Sequence, residues 1–191
     1  MSRRSVGAVL LVTGLVAASC GSDPHPHSRA SGIEPIRAEA LPGRAAEPME
    51  LDASQVSADA VDVDELETLL GDAGFVAGTQ RRFRRTVGGR RTTLARVLVF
   101  ETSQGAQEYL NWLADHARDV IGKAHLVDGL PMPNGAIVYV HEPNPCCHSE
   151  TRLVLAAWKD GATVMTLELG GQVVRTRVVP ELVSRLERSV R

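Results

Sequence analysis

Residues 151–169, TRLVLAAWKDGATVMTLEL, decide the fold. Thr151 to Lys159 and Ala162 to Leu169 alternate as strands around Asp160-Gly161. An Asp-Gly pair between alternating runs is the strongest short-range signal for an antiparallel hairpin. What lies on either side must therefore pack on a sheet. Downstream, Pro180 opens a helix that carries Leu182, Val183, Leu186 and Val190 on one face. Upstream, a Pro/Gly-rich stretch from Gly129 to Gly135 leads into a strand from Ala136 to His141.

Further upstream, Ala106, Tyr109, Leu110, Leu113, Ala114, Ala117, Val120 and Ile121 form one apolar stripe. They belong to a helix that Ser103 caps and Gly122 ends. Before it, Phe83 and Val87 alternate with Arg82, Arg84 and Thr86, and Gly88-Gly89 supplies a tight turn. The return strand, Thr92 to Glu101, is apolar on both faces at Leu94, Val97, Leu98, Val99 and Phe100, which predicts an interior strand covered on both sides. The first helix carries Leu66, Leu69, Leu70 and Ala73, with a capping box at Asp62 and Glu65 and a stop at Gly74. The order αββα–βββα predicts an α+β fold, a mostly antiparallel sheet packed by helices, in a single domain over residues 61–191.

Composition bounds this domain. Hydrophobic residues make up 43% of the chain but aromatic ones only 4%, so the core must be built from Leu, Val and Ala. A net charge of −2 argues against nucleic acid as a partner held through net charge.

The N-terminus carries an address. Arg3 and Arg4 precede an apolar run from Val6 to Val16, then Ala17-Ala18-Ser19-Cys20. A basic start, a short apolar core and small residues before a cleavage site make a secretory signal, residues 1–19. The cysteine placed next resembles the lipobox of bacterial lipoproteins. That resemblance implies diacylation of Cys20, palmitate among its acyl groups, and a protein held at the cell membrane on its extracytoplasmic face. As a helix the eleven residues 6–16 rise only about 16 Å, too short to span a bilayer. Ser2-Arg3-Arg4-Ser5-Val6 also resembles a twin-arginine export signal, so the export route stays open. From Cys20 to residue 60 the chain is rich in Pro, Ala, Ser and Gly, including His25 and His27, and reads as a disordered tether. The whole arrangement resembles small lipoprotein ectodomains of high-GC Gram-positive bacteria, over residues 62–190. It includes Ala73-Gly74-Phe75, the Phe100-to-Leu113 strand–helix unit and an Ala- and Arg-heavy composition. That resemblance brings no active site with it.

Two clusters could carry chemistry. The first is His141-Glu142-Pro143-Asn144-Pro145-Cys146-Cys147-His148-Ser149-Glu150. With Cys20 acylated, Cys146 and Cys147 are the remaining thiols. A strained vicinal disulfide, an intermolecular bridge and a metal-held pair are all open. Thiolates with His148 and His141 suit Zn or Cu, although adjacent cysteines are poorly spaced for a tetrahedral site. Position 145 is proline, which rules out a helical H-E-x-x-H motif there, and no G-x-S-x-G, S-x-x-K, P-loop or G-x-G-x-x-G occurs. His116 and His125 read as surface residues.

The second cluster is seven arginines between Arg81 and Arg96. Arg82 and Arg84 share one strand face, and Arg90 and Arg91 lie near the turn, a set suited to phosphate or carboxylate on lipid heads or cell-wall polymers. A solvated hairpin face, partly neutralised by Asp59, Asp62, Asp64, Glu65 and Glu67, is the plainer reading of them. The sequence thus points to a membrane-anchored, non-enzymatic domain that binds an envelope ligand or partner. A metal-binding or thiol-redox lipoprotein built on Cys146, Cys147 and His148 is the alternative, and an unfamiliar envelope enzyme stands third.

Overall fold

The computed structural model of the protein describes residues 33–86, 91–141, 152–171 and 174–190. In chain order the elements are β1 (Arg44–Ala45), β2 (Met49–Leu51), α1 (Ala53–Ser57), α2 (Val63–Asp72), β3 (Phe75–Arg85) and β4 (Arg91–Phe100). They continue with α3 (Ser103–Asp115), α4 (Ala117–Ile121), β5 (Ala124–Leu126), β6 (Ile137–His141), β7 (Arg152–Asp160), β8 (Thr163–Gly171), a 3-10 turn (Thr176–Val178) and α5 (Val179–Val190).

Among the described residues, eight strands form one sheet in the order β1-β3-β4-β8-β7-β6-β5, with β2 also on β3, and every pairing is antiparallel. The β7–β8 hairpin turns at Gly161, whose φ of 58° suits glycine. The β3 edge is closed by the broken strand β1 and β2.

The long central strands β4, β7 and β8 alternate between two cores, in keeping with the α+β reading. One face buries Phe83, Ala95, Val97, Trp158 and Leu167 under α5 and the segment Ile36 to Leu41. The other buries Leu98, Phe100, Leu155 and Val164 under α1 to α4. Strand β4 is interior, and from Ala95 to Phe100 it is covered on both sides, as its two-faced apolar pattern predicts. Gly74 ends α2 with φ 68°.

Three expectations change. The disordered tether through residue 60 gives way to a packed strap from residue 33, in which Ile36, Leu41, Leu51 and Val56 are buried. Its apolar residues are too sparse to show a period. A charged latch holds it, as Arg81 donates from Nε to the Ala46 carbonyl and from Nη1 to that of Ile36, both at 2.7 Å. The helix expected from Ser103 to Ile121 breaks at His116, which leaves helical φ/ψ while its ring Nδ1 lies 2.9 Å from the Trp112 carbonyl. Its cap is Thr102, whose hydroxyl accepts from the Gly105 N–H, not Ser103. Asp62 caps α2 as expected, while a reciprocal capping box forms at α1 between Asp52 and Gln55. The leader 1–19, Cys20, His25, His27, the Gly88-Gly89 turn and the Cys146-Cys147 loop lie outside the described residues.

Candidate functional site

The helix layer is shorter than the sheet it covers. Helices α2 and α3 lie on the end of β4 and β8 that carries Leu98, Phe100 and Val164. At the other end the same face presents Gln80, Arg82 and Arg84 from β3 and Leu94 from β4. Cross-strand register fixes this array, with Arg82 opposite Leu94, Leu94 opposite Glu168 and Gln80 opposite Arg96. The strap then adds Arg44 and Met49 along the edge, in register with Arg84 and Gln80.

These residues enclose a groove of about 740 Å³ lined by Arg44, Met49, Gln80, Arg82, Arg84 and Leu94. Glu47 also lines it, so positive charge is in excess. Arg44, Arg82 and Arg84 are exposed, and among the described residues none has a side-chain hydrogen bond or ion pair. Arg44 directly opposite Arg84 is a like-charge cross-strand pair, an arrangement that weakens a sheet unless an anion sits between. Met49 and Leu94 give the floor an apolar component.

Of the four arginines that sequence singles out, the structure brings Arg82 and Arg84 together. Arg91 falls on the opposite face because strand parity separates it from them. Half-buried there, it has its pKa lowered by burial and then by Arg85, with Glu181 of α5 opposing. Arg90 lies outside the described residues. Arg44, which sequence reading misses, comes from the strap, and the two-residue strand that places it is too short to leave a pattern.

An inner crevice of about 50 Å³ adjoins the groove, lined by Asp59, Arg96, Tyr109, Trp112, Thr166 and Glu168 among others. Arg96 is its centre. It donates from Nη1 to Glu168 Oε1 at 2.8 Å and from Nε to Gln80 Oε1 at 3.1 Å, while Nη2 lies 3.6 Å from Asp59 Oδ2. Thr166 is buried with its hydroxyl unpartnered. Burial pushes the Tyr109 phenol up to about 12, Arg96 pulling it down and Glu168 up, so it stays neutral. Trp112 donates its indole N–H to Glu65 at 2.9 Å and stacks on His116 at 4.4 Å between ring centroids. His116 is therefore part of an aromatic wall, while His125 is exposed on β5. The crevice thus brings together a guanidinium paired to carboxylates, a buried hydroxyl and a neutral phenol.

His141 ends β6, its Nδ1 buried and without a hydrogen-bond partner among the described residues. Cys146, Cys147 and His148 lie outside the described residues, among which no group of three or more His, Cys, Asp or Glu gathers to hold a metal. No helix among the described residues is long and apolar enough to cross a membrane.

No family model and no curated protein matches the chain. Its fold is found in a solved structure, the extracellular domain of PknH from Mycobacterium tuberculosis. The TM-score is 0.53 at 12% identity, over 83% of this chain and 98% of that one. At that identity the likeness establishes the fold.

Proposed function

We propose that the protein is a non-enzymatic, lipid-anchored domain that binds an anionic ligand on the extracytoplasmic side of the membrane. The lipobox at Cys20 supports the anchor, and the shared fold with an extracellular domain is in keeping with the location. The observation that carries the binding reading is the set Arg44, Arg82 and Arg84, three guanidinium groups around one groove without partners among the described residues. Ile33 packs beside Val76, at the start of β3, whereas the groove lies near its end. Eight residues of strand separate Val76 from Arg84, about 26 Å. The groove is thus remote from the point where the N-terminal segment enters the domain, and a wall polymer, a soluble anion and lipid heads are the ligand classes the test separates.

The test is binding of the full chain in detergent to polyphosphate and, in a second arm, to phosphatidylglycerol vesicles, each at rising salt. The expected result is salt-sensitive polyphosphate binding that weakens about tenfold or more when Arg44, Arg82 and Arg84 are all changed to Ala. Absence of binding at low salt refutes the reading, and binding to the vesicles only reassigns the ligand to lipid.

His141 favours a second reading, a metal or thiol site, because a buried imidazole nitrogen without a partner stands at the strand end leading to Cys146, Cys147 and His148. Zn or Cu would be held by those thiolates and imidazoles. Failure of equimolar Zn or Cu to bind tightly, with both thiols titrating freely, removes it.

A further inference from the structure

We infer that the crevice around Arg96 is an inner subsite for the anionic group of the ligand, and that Asp59 is a built-in placeholder for that group. The inference rests on the reading of the groove as an anion site. Arg96 is poorly exposed, with 18% of its side chain accessible, and its two carboxylate neighbours differ sharply. Glu168 is half-buried and close, at 2.8 Å, and belongs to the sheet. Asp59 is 89% exposed, sits 3.6 Å away, and comes from the short turn between α1 and α2. An exposed pair at that distance contributes little, so water or another anion displaces it readily, whereas the Glu168 pair stays. What Asp59 vacates is the outward guanidinium nitrogen, whose natural partner is a carboxylate or phosphate oxygen.

The second observation lies deeper. Thr166 is 3% exposed, lines the same crevice, and its hydroxyl has no hydrogen-bond partner among the described residues. A buried hydroxyl left unpaired costs stability, and an oxygen of the incoming group would satisfy it. The crevice is small at about 50 Å³ because Val56, Asp59 and Ala60 close it; moving the turn enlarges it. Outside, Gln80 of the groove lies opposite Arg96 and accepts from its Nε, and Arg82 stands one row along the same strand face, so the crevice lies next to the groove. The chemical class is a phosphate monoester or a carboxylic acid whose remainder lies along Met49 and Leu94.

The chain has two tryptophans: Trp112 lines the crevice and Trp158 is buried on the opposite face, so intrinsic fluorescence reports this site. The experiment titrates the full chain in detergent with inorganic phosphate at constant ionic strength, chloride serving as the control ion. Hydrogen exchange of residues 58–62 is followed with and without phosphate. The expected outcomes are a saturable phosphate signal lost in W112F, affinity about fivefold tighter in D59N, affinity about fivefold to tenfold weaker in T166V, and faster exchange in the turn on binding. E47Q, which removes a charge from the outer groove only, should change affinity less than D59N. T166V should melt no lower than wild type, since it removes an unpaired hydroxyl, and so separates binding from folding. If either D59N or T166V binds as wild type while Arg82 and Arg84 remain necessary, the anion stays on the outer rim and the placeholder is refuted. If phosphate binds neither wild type nor D59N, the anion-site reading fails with it.

Discussion

Gly105→Ala and Gly71→Ala are the same chemical change in two helices, and the structure gives them opposite signs. In an exposed helix interior, alanine is favoured over glycine by about 1 kcal/mol. Gly71 lies near the end of α2 with nothing within 4 Å of an added Cβ, so its replacement should stabilise, by about 0.5 kcal/mol. Gly105, in the first turn of α3, faces the end of α2. A Cβ there would fall on the Ala73 carbonyl oxygen, far inside the 3.0 Å that real Cβ atoms respect, and 2.8 Å from the carbonyl carbon. Backbone cannot rotate aside as a side chain does, so α3 must shift by roughly 1 Å along a packed interface. Overpacking of this kind costs about 1–3 kcal/mol, and the immovable neighbour places this case at the upper end. After the helix-propensity gain the net loss is about 2 kcal/mol, or a fall in Tm of roughly 6–8 °C for a domain of this size. Thermal melts of the two variants against wild type are the assay. A Gly105→Ala protein that melts at or above wild type would show that the α2–α3 junction is looser than described and refute the reasoning.

Further outcomes follow from individual contacts. Replacing Arg81 by Met should free the strap by deleting its bonds to Ile36 and Ala46, with a loss of about 2 kcal/mol and protease cleavage appearing within residues 33–51. Unaltered cleavage would show that burial of Ile36 and Leu41 is sufficient. Tyr109 gives a pH dependence: its folded pKa, pushed up to about 12, exceeds the ordinary 10, so the folded state keeps a proton that the unfolded state loses. Its stabilising effect is complete below pH 10 and declines as pH rises toward 12, by about 2–3 kcal/mol for this fully buried group. The stability difference between wild type and Y109F, measured by denaturant unfolding at pH 9 and 11.5, should shrink correspondingly; a constant difference refutes it. Trp158→Phe should cost less than a usual large-to-small core change, because the buried indole N–H has no partner among the described residues and removing it offsets part of the lost packing. Chemical denaturation measures this directly.

The fold was legible wherever one residue pattern served one element. The Asp160-Gly161 hairpin, the two-faced run from Leu94 to Phe100 and the stripe from Ala106 to Leu113 each state their burial in their own periodicity. The strap was not legible because its stability is non-local. Ile36 and Leu41 are held under a sheet face by Phe83 and Ala95, and β1 pairs through two residues only. The candidate site shared that fate in part. Strand parity on β3 was enough to bring Arg82 and Arg84 together and, applied to β4, to send Arg91 to the other face. Arg44, Asp59 and Glu168 join the site through pairing and helix placement, which no short window contains.

The open end of the sheet explains why the arginines remain unpaired. A helix layer long enough to cover Arg82, Arg84 and Leu94 would have to bury guanidinium groups, at a cost of several kcal/mol each unless carboxylates were supplied with them. The acidic residues that could do so, Asp62, Asp64 and Glu67, are exposed on α2 and its cap, over the other end of the sheet, and Glu65 is engaged by Trp112. Among the described residues, Arg44, Arg82 and Arg84 are therefore left without carboxylate partners even though Arg44 and Arg84 form a like-charge pair. A surface that only needed solubility would interleave its charges. Unpaired arginines beside Asp59, an exposed carboxylate on a short turn, are what the proposed anion site would use. Neutralising the groove with Arg82→Glu should therefore raise stability while abolishing phosphate binding; loss of both together would mean that the arginines serve the fold and not a ligand.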